Sequence, residues 1–306
     1  MKILVTGGNG FIGSYVVNSL VEGGYKVVIV DSSIGNKNSI NKKVKCYQLN
    51  ITDKNLSNVF DKERPDAVIH MAAQVDVSRS VMEPIMDAEV NILGTINVLN
   101  ECVKYKVKKV VYSSTSAVYG ENVASEISEN EKIMPISFYG ISKYTPELYL
   151  EAFFKIHGLK YTILRYSNVY GERQGIKGEG GVIPIFIHEL MEDRSPVIFG
   201  DGKQTRDFIY AGDVAEANVS ALNAADMEVL NISSGISITI LQLFEQIRDL
   251  MGKAVTPNFR GGRSGDILHS RLANSKAIMM LSWEPKVNLP EGLRKTIDYY
   301  KEIKLQ

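Results

Sequence analysis

Tyr139 and Lys143 stand four residues apart in F-Y-G-I-S-K. On a helix that spacing puts both side chains on one face. An ammonium beside a phenol lowers the phenol pKa and makes tyrosinate a usable base. The same spacing recurs in Tyr105/Lys109 and Tyr300/Lys304, but neither pair has a hydroxyl-rich strand end upstream at a matching distance. Tyr139 does: Thr115 lies 24 residues before it, in Y-S-S-T-S-A-V-Y-G. A Thr115 hydroxyl could bond the reacting oxygen while Tyr139 moves the proton. For Ser113, Ser114, Thr115 and Ser116 taken alone, closing a strand end is the more frequent explanation.

A second constellation stands at the N-terminus. In G-G-N-G-F-I-G, Gly7, Gly8, Gly10 and Gly13 follow an apolar run and open a helical pattern, with Phe11 and Ile12 between them. Glycines there permit a tight turn and close backbone approach to a pyrophosphate at a helix N-terminus. A ligand-free turn reads as well for the glycines alone; the strand before and the helix after fit the dinucleotide fingerprint. Asp31 follows about 20 residues on, where a carboxylate accepts hydrogen bonds from an adenosine ribose. It would repel a 2′-phosphate, so NAD is expected rather than NADP. Asn91, in V-N-I-L-G-T, either orients a helix or a water near the site, or is a buried structural asparagine.

The elements that must position these residues alternate. Ile3–Val5, Val27–Val30, Val44–Leu49, Ala67–His70, Val110–Ser113 and Thr162–Arg165 read as short strands. Gly10–Glu22, Asp53–Phe60, Ile85–Tyr105 and Ile136–His157 read as helices between them. Uninterrupted apolar strands such as Val27–Val30 suit a parallel sheet covered on both faces, so the fold class is α/β with a doubly wound sheet. Pro146 lies inside the Tyr139 helix and predicts a kink or a restart there. Beyond Arg165 come a glycine-rich stretch and helices over Val182–Glu192, Ile240–Met251 and Glu291–Tyr300. The expected division is a first domain over residues 1–167 and a smaller α/β domain over 168–306, with a segment near 208–232 returning to the first.

Composition excludes several classes. Lys+Arg and Asp+Glu are 35 each, so no global field favours nucleic acid or an anionic membrane. Cys46 and Cys102 provide neither a disulfide framework nor metal-ligand spacing. The chain opens on strand-like M-K-I-L-V-T, and no apolar run reaches membrane-spanning length, so a cytoplasmic protein is expected.

An ordered series of motifs covers nearly the whole chain: H-M-A-A-Q-V, N-I-L-G-T, Y-S-S-T-S-A-V-Y-G, Y-G-I-S-K, L-R-Y-S-N-V-Y-G-E-R-Q, F-G-D-G-K-Q-T-R-D-F-I-Y and R-S-G-D-I. With it the chain resembles the extended short-chain dehydrogenase/reductases, and within them the UDP-glucose 4-epimerase group. The resemblance implies a Rossmann-type sheet with a smaller C-terminal substrate domain and NAD held throughout the cycle. It implies Tyr139 as acid/base, Lys143 on the nicotinamide ribose and Thr115 assisting. It places Asn50, Ile51, Ala72 and Ala73 near the cofactor, Asn50 standing where the family usually has aspartate. On the substrate side it implies Asn168, Arg206 and Arg263 for the nucleotide and diphosphate, with Asp266 in the same R-S-G-D segment, and Val75, Val77, Val182 and Gln204 for the lining of the sugar and nucleotide cavity, core packing being the other reading of the valines. Guanidinium groups suit a diphosphate through forked, permanently charged donors. Ser270 falls at the position bordering the sugar's C2 substituent, where a small residue leaves room for an N-acetyl group.

Where nucleotide-sugar dehydratases of this family carry an Asp-Glu pair, this chain has Ser116 and Ala117, which leaves water elimination without its acid/base. Phe138, Pro146 and Glu172 also depart from the family pattern. The function implied is epimerisation of a UDP-hexose at C4 through a 4-keto sugar, by a homodimer joined through helices Ile85–Tyr105 and Ile136–His157. Tyr149, Leu150, Phe153 and Phe154 are candidates for the joining face. Rival readings are a UDP-uronate epimerase, a nucleotide-sugar reductase, and a non-catalytic NAD-sensing protein.

Overall fold

The computed structural model describes residues 1–33, 44–121, 124–176, 181–262 and 267–304. The strands are β1 (Lys2–Thr6), β2 (Lys26–Asp31), β3 (Lys45–Gln48), β4 (Ala67–His70), β5 (Lys109–Thr115), β6 (Lys160–Tyr166), β7 (Asn168–Tyr170), β8 (Val197–Phe199), β9 (Thr205–Tyr210), β10 (Glu228–Ile232), β11 (Ser237–Thr239) and β12 (Asn258–Arg260). The helices are α1 (Phe11–Glu22), α2 (Leu56–Glu63), α3 (Val77–Met82), α4 (Pro84–Ala88), α5 (Gly94–Lys104), α6 (Phe138–His157), α7 (Val182–Met191), α8 (Ala211–Ala221), α9 (Ile240–Leu250), α10 (Ser275–Leu281) and α11 (Leu289–Lys304). None of the described helices is long and apolar enough to cross a membrane.

Among the described residues the main sheet has seven strands in the order β10-β6-β5-β4-β1-β2-β3, every pair parallel. Strand alternation explains why it is covered twice. Ile3 and Val5 of β1 pack with Val16, Val17 and Leu20 of α1, whereas Leu4 faces the opposite core with Phe60, Leu99 and Leu150. β1 sits between β2 and β4, so successive connections leave in opposite directions and a crevice opens beyond the strand ends. Gly7, Met71 and Thr115 all lie at or just past those carboxyl ends.

β10 joins this sheet beside β6, while β9 pairs with β7 and β11 in a smaller sheet of three strands. A separate core holds Phe186, Phe208, Phe244 and Leu293, drawn from α7, β9, α9 and α11. The sequence pattern did not reveal the short strands β7, β8, β11 and β12. Each is three residues long, and so short a local pattern does not distinguish a strand from a loop.

Two helices differ from expectation. Ile85–Tyr105 is not one regular helix: α4 and α5 are joined by a π-helical stretch at Glu89–Leu93, which contains Asn91. Such wide turns accommodate an extra residue without breaking the helix, and no apolar periodicity signals them. α6 runs through Pro146 as one helix of 20 residues, so of the two expected outcomes, a kink or a restart, the restart does not occur. Its start is fixed by Ser137, whose side chain accepts from the Gly140 N–H at 3.0 Å.

Candidate active site

A cavity of about 450 Å³ opens at the crevice, lined on one side by Gly7, Gly10, Phe11, Ile12 and Gly13. Its other walls include Ala73, Val75, Val77, Thr115, Tyr139, Lys143 and Asn168. Thr115 ends β5, and α6 delivers Tyr139 and Lys143 to the same space. Neither rival Tyr/Lys pair is there. Tyr105 stacks on Phe60 at the end of α5, and Tyr300 donates to the Gln174 carbonyl from α11.

The glycine turn is built for close approach. Gly7 has φ +70°, and a Cβ on it would lie 2.7 Å from the Ala72 nitrogen. A Cβ on Gly13 would run into the Gly7 carbonyl oxygen. Ala72 thus backs the turn rather than lining the cavity, its N–H donating to Thr6 Oγ1 at 3.2 Å. At the end of β2 the Asp31 carboxylate accepts from the Asn9 N–H at 2.9 Å and from Ser33 N–H and Oγ, each at 2.9 Å. Asn9 Oδ1 is buried without a hydrogen-bond partner among the described residues. A turn that no side chain fills, an anchored carboxylate and a buried acceptor awaiting a donor fit a dinucleotide.

Lys143 is buried, and burial pulls its ammonium down to about 7, opposed by the negative charges of Glu147 and Asp87. Its ammonium lies 4.5 Å from the centroid of Tyr112, and the Tyr112 hydroxyl donates to the Lys143 carbonyl at 3.1 Å. His70, also buried, is held far below its usual range at about 3 by burial and by Lys143. Its ring nitrogens bond Thr6 Oγ1 at 2.7 Å and Thr95 Oγ1 at 2.9 Å.

Asn91 does not line the cavity. Its side-chain oxygen accepts from the Gln74 N–H at 2.8 Å, and its amide reaches the Gln74 carbonyl, Asp87 Oδ1 and Ser142 Oγ at 3.0, 3.2 and 2.9 Å. It therefore ties the π-helical stretch to the Gln74 loop and to α6, one residue from Lys143. Asn50 closes a local turn with Thr52, and buried Ile51 packs against Gly94. Val182 opens α7 and is half-buried. Gln204 donates to the Phe199 carbonyl at 2.8 Å, and Arg206 Nη1 to the Thr205 carbonyl at 2.8 Å. Ser270 lines a different cavity of about 490 Å³, beside Thr205 and Arg271. Arg263 and Asp266 lie outside the described residues.

Sequence reasoning overlooked Ser167, Tyr166 and Met71, which also line the first cavity. Ser167 directly precedes Asn168, and adjacency to a named residue was the available signal. It also treated Ser113 and Ser114 only as strand-closing residues, although both reach the cavity wall.

The geometry agrees with comparisons to known proteins. A solved UDP-glucose 4-epimerase from Thermotoga maritima, with UDP-glucose, matches at a TM-score of 0.97 and 45% identity, covering 100% of both chains. The Thermus thermophilus UDP-glucose 4-epimerase in complex with NAD matches at 0.92 and 36% identity, over 98% of this chain and 99% of that one. A UDP-glucose 4-epimerase of Mycolicibacterium smegmatis is 35% identical over 98% of this chain and 99% of its own. The family model for NAD dependent epimerases/dehydratases matches residues 3–233, from β1 to just past β10, and the chain belongs to that family.

Proposed function

We propose that this protein is a UDP-hexose 4-epimerase that interconverts UDP-glucose and UDP-galactose with bound NAD. The observation that carries the reading is the meeting of Thr115, Tyr139 and Lys143 with the glycine turn around one cavity. Gly7, Gly10 and Gly13 would hold the pyrophosphate, Asp31 the adenosine ribose and Lys143 the nicotinamide ribose. When bound, NAD accepts a hydride from the sugar carbon and returns it. Tyr139, as tyrosinate, takes the proton of the 4-hydroxyl, and Thr115 hydrogen-bonds the oxygen that becomes the ketone. Lys143 as a cation favours the tyrosinate form. After the keto sugar rotates about its diphosphate linkage, the hydride would return to the opposite face of C4 and Tyr139 returns the proton to the 4-oxygen. Remote binding of the nucleotide would hold the ketone without fixing the sugar's orientation.

Elimination chemistry is disfavoured by the turn after Thr115, where Ser116 and Ala117 provide no carboxylate. Val75, Val77 and Asn168 border the Tyr139 cavity while Ser270 does not, so we assign the sugar and its neighbouring nucleotide portion to the first three. Ser270 then gives no argument for or against an N-acetyl group at C2. Arg206 and Arg263 are assigned to the diphosphate on the family motif.

A homodimer is part of the same reading. Leu150 is buried and Phe153 and Phe154 pack against the core, which leaves Tyr149 alone of the four expected residues clearly exposed. Other apolar side chains on neighbouring helices support a joining face: Val81, Met82, Ile85, Ile141 and Leu148 are 60, 73, 75, 46 and 50% exposed. Coupled assays on UDP-glucose, UDP-galactose and their N-acetyl forms test the activity. Net NADH accumulation, or turnover confined to a UDP-uronate, would overturn it.

A further inference from the structure

Glu147 lies one helical turn beyond Lys143, as Lys143 lies one turn beyond Tyr139, so the three carboxylate, ammonium and phenol groups share a face of α6. Glu147 is 5% exposed, and its carboxylate is fully engaged. Oε1 accepts from Ser114 Oγ at 2.5 Å and from Arg165 Nε at 3.1 Å; Oε2 accepts from Arg165 Nη2 at 2.5 Å. Ser114 is the residue before Thr115 on β5, and Arg165 is the β6 residue paired with Ser114 in the sheet. Arg165, 4% exposed, continues the network through Nη1 to Tyr119 at 2.9 Å, and the Tyr119 hydroxyl donates to Asn231 of β10 at 2.7 Å.

We propose that Glu147 is the positioning residue of the Thr115–Tyr139–Lys143 set, locking α6 in register with the end of β5 and supplying a counter-charge to Lys143. This rests on the epimerase reading for what the set does, but not for how it is held. A forked carboxylate–guanidinium pair fixes direction as well as distance. Here the pair joins α6, which bears two of the proposed catalytic residues, to β6, and the Ser114 hydrogen bond ties the same carboxylate to β5, which bears the third. The charge argument is equally local. Lys143 faces Glu147 and Tyr139 on its own helix, Asp87 on α4, the neutral His70 on β4 and the Tyr112 ring on β5. Among these, only Glu147 and Asp87 are carboxylates that oppose the loss of its proton, and burial alone would drive that proton off at lower pH.

The test compares wild type, Glu147→Gln, the double variant Glu147→Gln/Arg165→Gln and Ser114→Ala. A buried arginine left without its partner strongly destabilises a protein, so the double variant carries the test if the single one does not fold. Two readouts are taken: the pH titration of Lys143 by NMR of isotope-labelled lysine, and kcat and KM for UDP-galactose. In the double variant Lys143 is expected to lose its proton about 1 pH unit lower than in wild type. Its kcat is expected to fall on the order of 10²-fold through misplacement of the set, with KM little changed. Ser114→Ala cuts the tie to β5 but keeps the charge, so kcat falls while the Lys143 titration stays put. A folded double variant with the wild-type Lys143 midpoint and wild-type kcat, showing only a lower Tm, would overturn the proposal and leave Glu147 a purely structural residue. If wild type does not epimerise any UDP-hexose, the epimerase reading fails. The NMR titration then decides the counter-charge role alone: a shifted midpoint upholds it and an unshifted one rejects it.

Discussion

The Lys143 ammonium and the Tyr112 ring face each other at 4.5 Å, and the same tyrosine donates its hydroxyl hydrogen to the Lys143 carbonyl at 3.1 Å. One residue of β5 thus seats the helical turn and offers its π-face to the cation that turn carries. Because burial pulls Lys143 down to about 7, that contact bears on its charge near neutrality. Tyr112→Leu removes a cation–π contact of about 0.5–2 kcal/mol. Lys143 should then lose its proton at lower pH, and the alkaline fall of kcat should move the same way. Tyr112→Phe keeps the ring and should preserve the profile. Identical pH–kcat curves for Leu and wild type would count against a charged Lys143 in the reaction.

Gly13→Ala should abolish NAD binding and lower Tm, since its Cβ would run into the Gly7 carbonyl and displace α1 from the turn. Overfilling a packed site costs about 1–3 kcal/mol. Gly261→Ala is the matched control, because among the described residues nothing lies within 4 Å of its Cβ. Calorimetric NAD titration and thermal melts measure both.

Asp31→Ala removes a carboxylate that already fixes Asn9 and Ser33, so the turn loosens as the ribose partner disappears. Hydrogen bonds to a charged group contribute about 1.5–3 kcal/mol, which corresponds to NAD affinity lower by roughly 10–100-fold. Affinity for NADP should fall far less. A wild-type protein that binds NADP as tightly as NAD would remove Asp31 from the specificity argument.

His70 makes stability depend on pH. Its folded value of about 3 lies below the ordinary 6.5, so the unfolded chain takes up a proton that the folded chain refuses. Stability from this group is complete above 6.5 and is lost as pH falls toward 3. Between pH 7 and pH 5 the loss is about 2 kcal/mol. Glu63, held down to about 2 chiefly by its hydrogen bond from Lys45, contributes only below its ordinary 4.5 and leaves that interval clear. Denaturant melts at pH 7 and pH 5 should show the slope in wild type and a flatter one in His70→Gln.

Much of the candidate site was legible because its residues stand at short spacings. Gly7–Gly13, Asp31, Thr115, Tyr139 and Lys143 could be read from types and intervals, as could the buried strands that carry them. What escaped the sequence was decided by tertiary contact. The π-helical stretch at Glu89–Leu93 has ordinary helical composition, and Asn91 is explained only by Gln74, Asp87 and Ser142 meeting around it. Pro146 signals a break by local rules, yet α6 remains continuous where it packs on the sheet. Phe153 and Phe154 could face either way on a helix; the core beneath α6 took them, leaving Leu148 and Ile141 outside. Ser270 aligns with a sugar-site motif, but the chain leads it to the second cavity.

The central claim is tested most directly by following UDP-galactose labelled with deuterium at C4 by NMR, with wild type and with Tyr139→Phe. The account predicts UDP-glucose that keeps its deuterium at C4, because hydride leaves and returns without exchange with water. With Tyr139→Phe the same conversion should be about 10²–10⁴-fold slower, as removal of a general base requires. Loss of the label to solvent, or a Tyr139→Phe rate close to wild type, would contradict it.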